Sequence, residues 1–244
     1  MSFVASPNLP TSRVKCVAVN ALYENLAELE GLGIRVVKIP PNPMLDTPVA
    51  AHADMNVCHL GCAEILVAKG LDGVFNELIS LGFNPRYIKK SLGKKYPDDI
   101  ALNCAFVGDY AVANFDAVAD EIREHCNNKI EAVNVNQGYA KCSTLIVSEK
   151  AVITADVSIA AALTKVGFDV LVISSGHIKL SGYNYGFIGG CGGLIDTHTL
   201  LFCGDITTHP DYEYIHSFLS KYSVTPLCLS GELTDVGGIL PLLQ

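Results

Sequence analysis

The chain writes nearly the same phrase twice. VNVNQGYAKCSTLIV begins at Val133 and SGYNYGFIGGCGGLI begins at Ser181, 48 residues later. On that offset Gly138, Tyr139, Ile146 and Val147 fall on Gly186, Phe187, Leu194 and Ile195. Each copy runs into an apolar stretch ending in Asp (Asp156, Asp205), then a helical stretch, then a strand ending in Ser-Gly. A repeat at a fixed period constrains the architecture more than any single motif, because each copy is one supersecondary unit that must stack on its neighbours.

The helix-then-strand step runs through the whole chain. DVSIAAALTKVGFDVLVISSG has apolar residues at Ile159, Ala162, Leu163 and Val166, a helical spacing, then Gly167 as a stop and a β-branched run. PDYEYIHSFLSKYSVTPLCLSG repeats the plan with Tyr214, Ile215, Phe218 and Leu219. FDAVADEIREHCNNKIEAVNV stops at Asn127 and Asn128, DGVFNELISLGFNPRYI at Gly82, and ALYENLAELEGLGIRVVKI at Gly33. Stops near 33, 82, 127, 167 and 222 define five units that fill the chain.

Four units are preceded by a hairpin: DMNVCHLGCAEILVA, IALNCAFVGDYAVA, AKCSTLIVSEKAVIT and GGLIDTHTLLFCG. Their alternation is poor, as expected of strands covered on both faces. The first unit starts on one strand, RVKCVAV, and lacks a hairpin partner; GGILPLL, Gly237 to Leu243, is the free strand that can supply it. Pairing the first and last strands closes a ring and removes sheet edges.

Composition narrows the function classes. Half of the 244 residues are hydrophobic and 17% are charged, enough apolar material for a large core. A net charge of −8 argues against a nucleic-acid or anionic-membrane surface. The basic run Arg86, Lys89, Lys90, Lys94 and Lys95 reads as a solvated connecting loop. The opening MSFVASPNLPTSR shows neither a basic nor an apolar signal region, and no apolar run spans a membrane. The nine cysteines are therefore expected to be reduced and mostly buried, and the address cytoplasmic.

Five strand–strand–helix–strand units of about 45 residues, read over 1–244 as one α/β domain, resemble the pentein fold, a five-bladed α/β propeller. That fold is shared by arginine deiminase, agmatine deiminase, dimethylarginine dimethylaminohydrolase and the amidinotransferases, and by a ribosome anti-association initiation factor that is not an enzyme. HADM, QGYAKCST and GYNYGFIGG resemble more closely an uncharacterised family of this fold.

The resemblance implies that the loops entering each first hairpin strand converge on the axis. These are HADMN (His52 to Asn56), DDIALN (Asp98 to Asn103), NVNQGYAK (Asn134 to Lys141), SGYNYG (Ser181 to Gly186) and ELTDVGG (Glu232 to Gly238). All are polar in a chain that is half apolar, which predicts a polar axial pocket for a small molecule. Asp54, Asp99 and Asp235 are expected to attract a cation, with Asn56, Asn136, Gln137, Lys141, Tyr183, Asn184 and Tyr185 orienting it.

Guanidine hydrolysis in the resembling enzymes uses a thiolate, a proton-carrying His and carboxylates that hold the cation. His52-Ala-Asp54 matches their His-x-Asp/Glu pattern, although in the second unit rather than later; His177 lacks the acidic partner. Their cysteine follows a Gly-Gly pair near the C-terminus, where DVGGILPLL offers Leu240 or Pro241 instead. Cys142 and Cys191 lie in pocket-forming loops, and Cys142 is the thiol that would serve with His52 and Asp54 in a relocated site. The sequence thus supports a pocket for a guanidino-, ureido- or amino-acid-like molecule without the usual nucleophile. Its rivals are a deiminase-type enzyme using a relocated cysteine and a non-catalytic interaction module similar to the initiation factor.

No cofactor and no metal is expected. In CHLGC a turn would point Cys58, His59 and Cys62 apart. GGCGG lacks the Lys-Ser/Thr of a phosphate loop, so its glycines are read as close strand approach. His209 reads as a helix-start residue. A small-molecule partner is expected, nucleic acid and membrane are not, and homo-oligomer formation stays open.

Overall fold

The computed structural model describes residues 1–126 and 130–244. The stop read at Asn127 and Asn128 lies outside the described residues. The chain is α/β, built as five separate three-stranded sheets on one plan: a middle strand pairs antiparallel with the strand before it and parallel with the strand after it. In the second sheet β3 (Val57–Gly61) and β4 (Glu64–Val67) form the hairpin, and α3 (Asp72–Ser80) crosses over to β5 (Asn84–Tyr87). The third has β6 (Ala105–Val107), β7 (Tyr110–Ala113), α4 (Asp120–Cys126) and β8 (Glu131–Asn134). The fourth has β9 (Leu145–Ser148), β10 (Ala151–Thr154), α6 (Val157–Lys165) and β11 (Asp169–Val172). The fifth has β12 (Gly192–Leu194), β13 (Thr199–Phe202), α7 (Tyr212–Lys221) and β14 (Thr225–Cys228).

The first sheet is completed from the far end of the chain. β1 (Cys16–Asn20) runs through α1 (Leu26–Gly31) to its parallel partner β2 (Arg35–Ile39), and its antiparallel partner is β15 (Leu240–Leu243). Cys16 stands opposite Leu243 and Val17 opposite Pro241, as the orphaned first strand requires. Among the described residues no sheet closes on itself; the two chain ends meet inside one sheet.

Helix ends follow local chemistry. Asp156 caps α6 by accepting from the amides of Ser158 and Ile159 at 2.8 and 3.0 Å. Gly167, one residue past the C-cap, has φ +84°, a conformation a side chain would resist. The crossover helices bury one face, Val74 and Leu78 on α3 or Ile215, Phe218 and Leu219 on α7. Burying each such Leu, Ile or Phe contributes about 1.5–3 kcal/mol.

Burial is graded across every sheet, and this places the site. The antiparallel strands β3, β6 and β15 are buried throughout, whereas the parallel strands β5, β8 and β14 are largely exposed or half-buried. The segments leading into β3, β6, β9, β12 and β15 therefore end in the interior. The basic run is more tied than a free loop: Lys90 Nζ donates to Ala117 O at 2.7 Å, and the Lys89 amide to Glu121 at 3.0 Å.

Candidate functional site

Two of the inward segments hold helices of a single turn, too short for any periodicity to announce. α2 (Ala53–Asn56) precedes β3 and α5 (Ala140–Ser143) precedes β9. Cys142, placed by the sequence in a pocket-forming loop, sits inside α5. A 3-10 turn at Ile188–Gly190 holds the corresponding place before Cys191 and β12.

Hydrogen bonds join the five segments in a closed circuit. Asn103 Nδ2 donates to Asp54 O at 3.4 Å, and Asn103 Oδ1 accepts from the Lys141 amide at 2.7 Å. Lys141 Nζ donates to Gly189 O at 3.3 Å. The amides of Val236 and Gly238 both donate to Gly190 O at 2.9 Å, and the Asp54 amide donates to Gly237 O at 3.2 Å, returning to the start. The glycine pair allows this approach: a Cβ at Gly189 would overlap Lys141 O, and one at Gly190 would overlap the Asp235 carboxylate. Close approach is thus the role of these glycines, as their sequence suggested.

Inside the circuit lie His52, Asp54 and Cys142, exposed by only 1%, 2% and 3%. One ring nitrogen, one carboxylate oxygen and the sulfur all fall within 4.8 Å of one another. The Cys142 thiol donates to Asp54 Oδ2 at 2.9 Å, and Asn103 Nδ2 approaches the same sulfur at 3.1 Å. Burial raises the Asp54 carboxyl to about 6, against the pull of the Lys141 ammonium. Burial and the neighbouring carboxylates of Asp54 and Asp235 push the Cys142 thiol well above its ordinary value. At rest this is a protonated thiol bonded to a carboxylate.

Asp235 completes the floor. Its two oxygens accept from the amides of Phe187 at 2.8 Å and Gly237 at 3.0 Å. His52 Nδ1 stands 3.7 Å from Asp235 Oδ1, beyond hydrogen-bond range, and has no partner; Asp54 Oδ1 has none either.

Above His52, Cys142 and Asp235 opens a cavity of about 250 Å³. Its walls combine four aromatic residues, Tyr139, Tyr183, Tyr185 and Phe187, with Asn184 and the apolar Val49, Met55 and Leu180. Tyr139 OH donates to Asp99 Oδ2 at 2.6 Å, and Tyr183 OH to Asp46 Oδ2 at 3.4 Å, so carboxylates back two of the rings. Burial raises the Asp99 carboxyl, and the Tyr139 bond opposes that rise. On the inner side, Asp54 and Lys141 face a separate void of about 20 Å³.

Of the residues singled out from sequence, His52, Cys142, Tyr183, Asn184, Tyr185 and Asp235 meet at the cavity. Asp54 meets His52 and Cys142 beneath it, and Asp99 reaches it only through Tyr139. The rest point elsewhere. Asn56 donates to the carbonyls of Ala50 and His52 at 2.8 and 2.9 Å, and thereby holds α2. Gln137 bonds Asp156 at 3.0 Å and lines a neighbouring cavity, Asn136 is exposed, and Lys141 is turned inward. His177 is exposed and stacks edge-on to His209, 5.6 Å away. In CHLGC, Cys58 is buried, Cys62 exposed and His59 Nε2 faces Cys62 O at 2.9 Å, so the three do not gather. Sequence reasoning passed over Asn103, although it precedes its hairpin as Asn56 precedes β3, and the ring residues Tyr139 and Phe187.

Among solved structures, the chain is similar to SxtG, an amidinotransferase of the saxitoxin biosynthetic pathway from Microseira wollei (12% identity, TM-score 0.59, 93% of this chain and 91% of that one). It is similar also to the inosamine-phosphate amidinotransferase StrB1 of Streptomyces griseus (10%, TM-score 0.60, 100% and 97%). A third is the agmatine deiminase of C. jejuni (10%, TM-score 0.53, 93% and 90%). At these identities the likeness establishes the fold, which is that of the pentein superfamily. No curated protein matches the sequence. Residues 17–240 match the model of a family of unknown function, DUF6873, and the chain belongs to that family.

Proposed function

We propose that residues 1–244 form a single five-bladed α/β propeller whose axial cavity binds a small molecule of the guanidino, ureido or amino-acid class, with a cationic guanidino group favoured. The closed circuit of bonds through five connections and the β1–β15 pairing support the propeller reading. The observation that carries the ligand reading is the cavity itself: aromatic faces backed by carboxylates, with Asp235 and His52 at the floor. A planar, delocalised cation is stabilised over such faces by their quadrupoles, by about 0.5–2 kcal/mol for each ring contact. A fixed carboxylate then orients it. The nine cysteines are all free, which agrees with a reducing, cytoplasmic setting. Among the described residues no helix is long and apolar enough to cross a membrane.

The test is a thermal-shift screen with guanidino, ureido, amidine and amino-acid compounds. A true ligand at about 100 times its Kd adds roughly 2.7 kcal/mol, a rise of about 5–10 °C for a chain of this size. Tyr183 and Tyr185 are 46% and 42% exposed, so Tyr183→Ala and Tyr185→Ala should fold normally and lose the shift. A panel in which no compound moves the midpoint removes this reading.

A second reading, hydrolysis by a relocated cysteine, is favoured by the meeting of Cys142 with His52 and Asp54. A bound cation beside the thiol would offset the carboxylates that now hold it protonated. The thiol would pass its proton to His52, the thiolate would add to the guanidinium carbon, the C–N bond to the leaving amine would break as His52 delivers that proton to it, and water would then release the ureido product, its proton restoring the thiol. Release of amine or ammonia that vanishes in Cys142→Ser would support it; no release from any compound that binds would dismiss it.

A further inference from the structure

We propose that His52, Asp54 and Cys142 bind one divalent metal ion of the zinc class, with an open coordination position facing the cavity. The ion is distinct from the organic cation proposed above, and neither assignment requires the other. The donor set comes first. Imidazole, carboxylate and thiolate are the three ligand types of zinc sites, and three protein ligands with a free fourth position mark the sites that do chemistry. In a tetrahedral site, donor atoms stand about 3.5 Å apart, given metal–ligand distances near 2.0–2.3 Å. Here they lie within 4.8 Å of one another, so the set closes by side-chain rotation.

Burial and valence point the same way. All three side chains are almost wholly buried, yet among the described residues His52 Nδ1 and Asp54 Oδ1 have no hydrogen-bond partner. Unpartnered polar atoms in an interior are costly; a cation satisfies the Asp54 oxygen, and Asp235 stands where it can take the imidazole N–H and leave the other ring nitrogen to the ion. On binding, the thiol proton leaves to solvent, and Asp54 offers the ion its unpartnered oxygen.

The supporting shell is also present. Asp235, pinned by two backbone amides, stands 3.7 Å from His52 Nδ1, where a small ring rotation makes the carboxylate–imidazole bond that orients metal-bound histidines. Asn103 Nδ2 at 3.1 Å from Cys142 Sγ supplies an N–H to the thiolate. His52 and Cys142 line the 250 Å³ cavity, which gives the ion a way in and its fourth ligand a place to stand. Among the described residues these three are the one group of His, Cys and acidic donors close enough to share an ion.

The experiment uses the full chain, freed of metal by chelator and titrated with Co²⁺ as a spectroscopic stand-in for zinc. One equivalent should bind, with a thiolate-to-cobalt charge-transfer band and the visible bands of a four-coordinate ion, both displaced by Zn²⁺. Cys142→Ser should lose the charge-transfer band. Asp235→Asn, a positioning change, should keep the band while affinity falls on the order of 10–100-fold. Should Cys142→Ser not fold, the double variant Cys62→Ser/Cys228→Ser decides, because it removes both exposed thiols and must keep the band. No band in the parent protein, a band that survives in Cys142→Ser, or a band lost with Cys62 and Cys228 overturns the proposal. Thermal shifts by organic cations are read on metal-free protein, so either assignment can fail alone.

Discussion

The space over Gly190 belongs to Asp235, and this can be measured. The three heavy atoms nearest to a Cβ built at Gly190 are Oδ1, Cγ and Oδ2 of Asp235, all in overlap or tight contact. Gly190→Ala must therefore expel the carboxylate from the amides of Phe187 and Gly237. Each buried amide left without an acceptor costs about 1–3 kcal/mol. Asp235→Ala loses the same two bonds, with some relief from removing a negative charge near Asp54 and Cys142, so about 2–4 kcal/mol is expected for either single change. In the double variant the obstructing atoms are gone, and Gly190→Ala should add no more than about 1 kcal/mol. The coupling is then about 3 kcal/mol, with the double variant far more stable than the sum of the singles predicts. Urea unfolding of the four proteins gives it directly. Additive costs would show that Gly190 is required for another reason and that the carboxylate is not seated there.

Other outcomes follow from the same coordinates. The folded Asp54 carboxyl titrates at about 6 against 3.8 in the reference state, a raised value, so its contribution is fully present below pH 3.8 and lost as pH rises through about 6. Metal-free wild type should therefore lose about 2.5 kcal/mol relative to Asp54→Asn between pH 4 and pH 7.5, and a pH-independent difference in urea unfolding would refute the shift. Under native conditions a thiol alkylator should add two adducts quickly, at Cys62 and Cys228, and reach the seven buried cysteines only in denaturant; intact-mass spectrometry showing a third fast adduct contradicts the packing. Asp156→Ala should cost about 1–2 kcal/mol through lost capping of α6, read from the chemical denaturation midpoint, and no loss would mean the cap is replaced by water.

The architecture was legible because its signals are local and repeat. Gly33, Gly82 and Gly167 mark helix ends by a backbone conformation that glycine accepts, and each appears in sequence after an apolar helical spacing. The β1–β15 pairing could be inferred because one strand lacked a hairpin partner and one apolar stretch lacked a role. The fifth stop falls one residue late: Ser223, not Tyr222, takes the left-handed conformation, with φ +56°. The site was legible only as a set of loops. Whether Asn56 or Tyr139 faces the cavity depends on the rotation of a one-turn helix, and four residues carry no period to read. Polarity marked Gln137 and Asn136 as strongly as Asp235, yet the first is held sideways by Asp156 and the second faces solvent.

The sequence distances within the site also say how it must form. Asp54, Asn103, Lys141, Gly190 and Asp235 come from five different connections, and each is bonded to a residue roughly 40 or more positions away. No unit can preform its share, since Asn103 finds both Asp54 and Lys141 only when the sheets on either side are in place. The last connection carries Asp235 and Gly237 and leads directly into β15, so closing the first sheet and completing the cavity floor are one event. A ligand or ion held at this floor touches several connections at once, and the unfolded chain does not bring those connections together. Its binding free energy is then stability of the whole chain, lost cooperatively when β15 leaves β1.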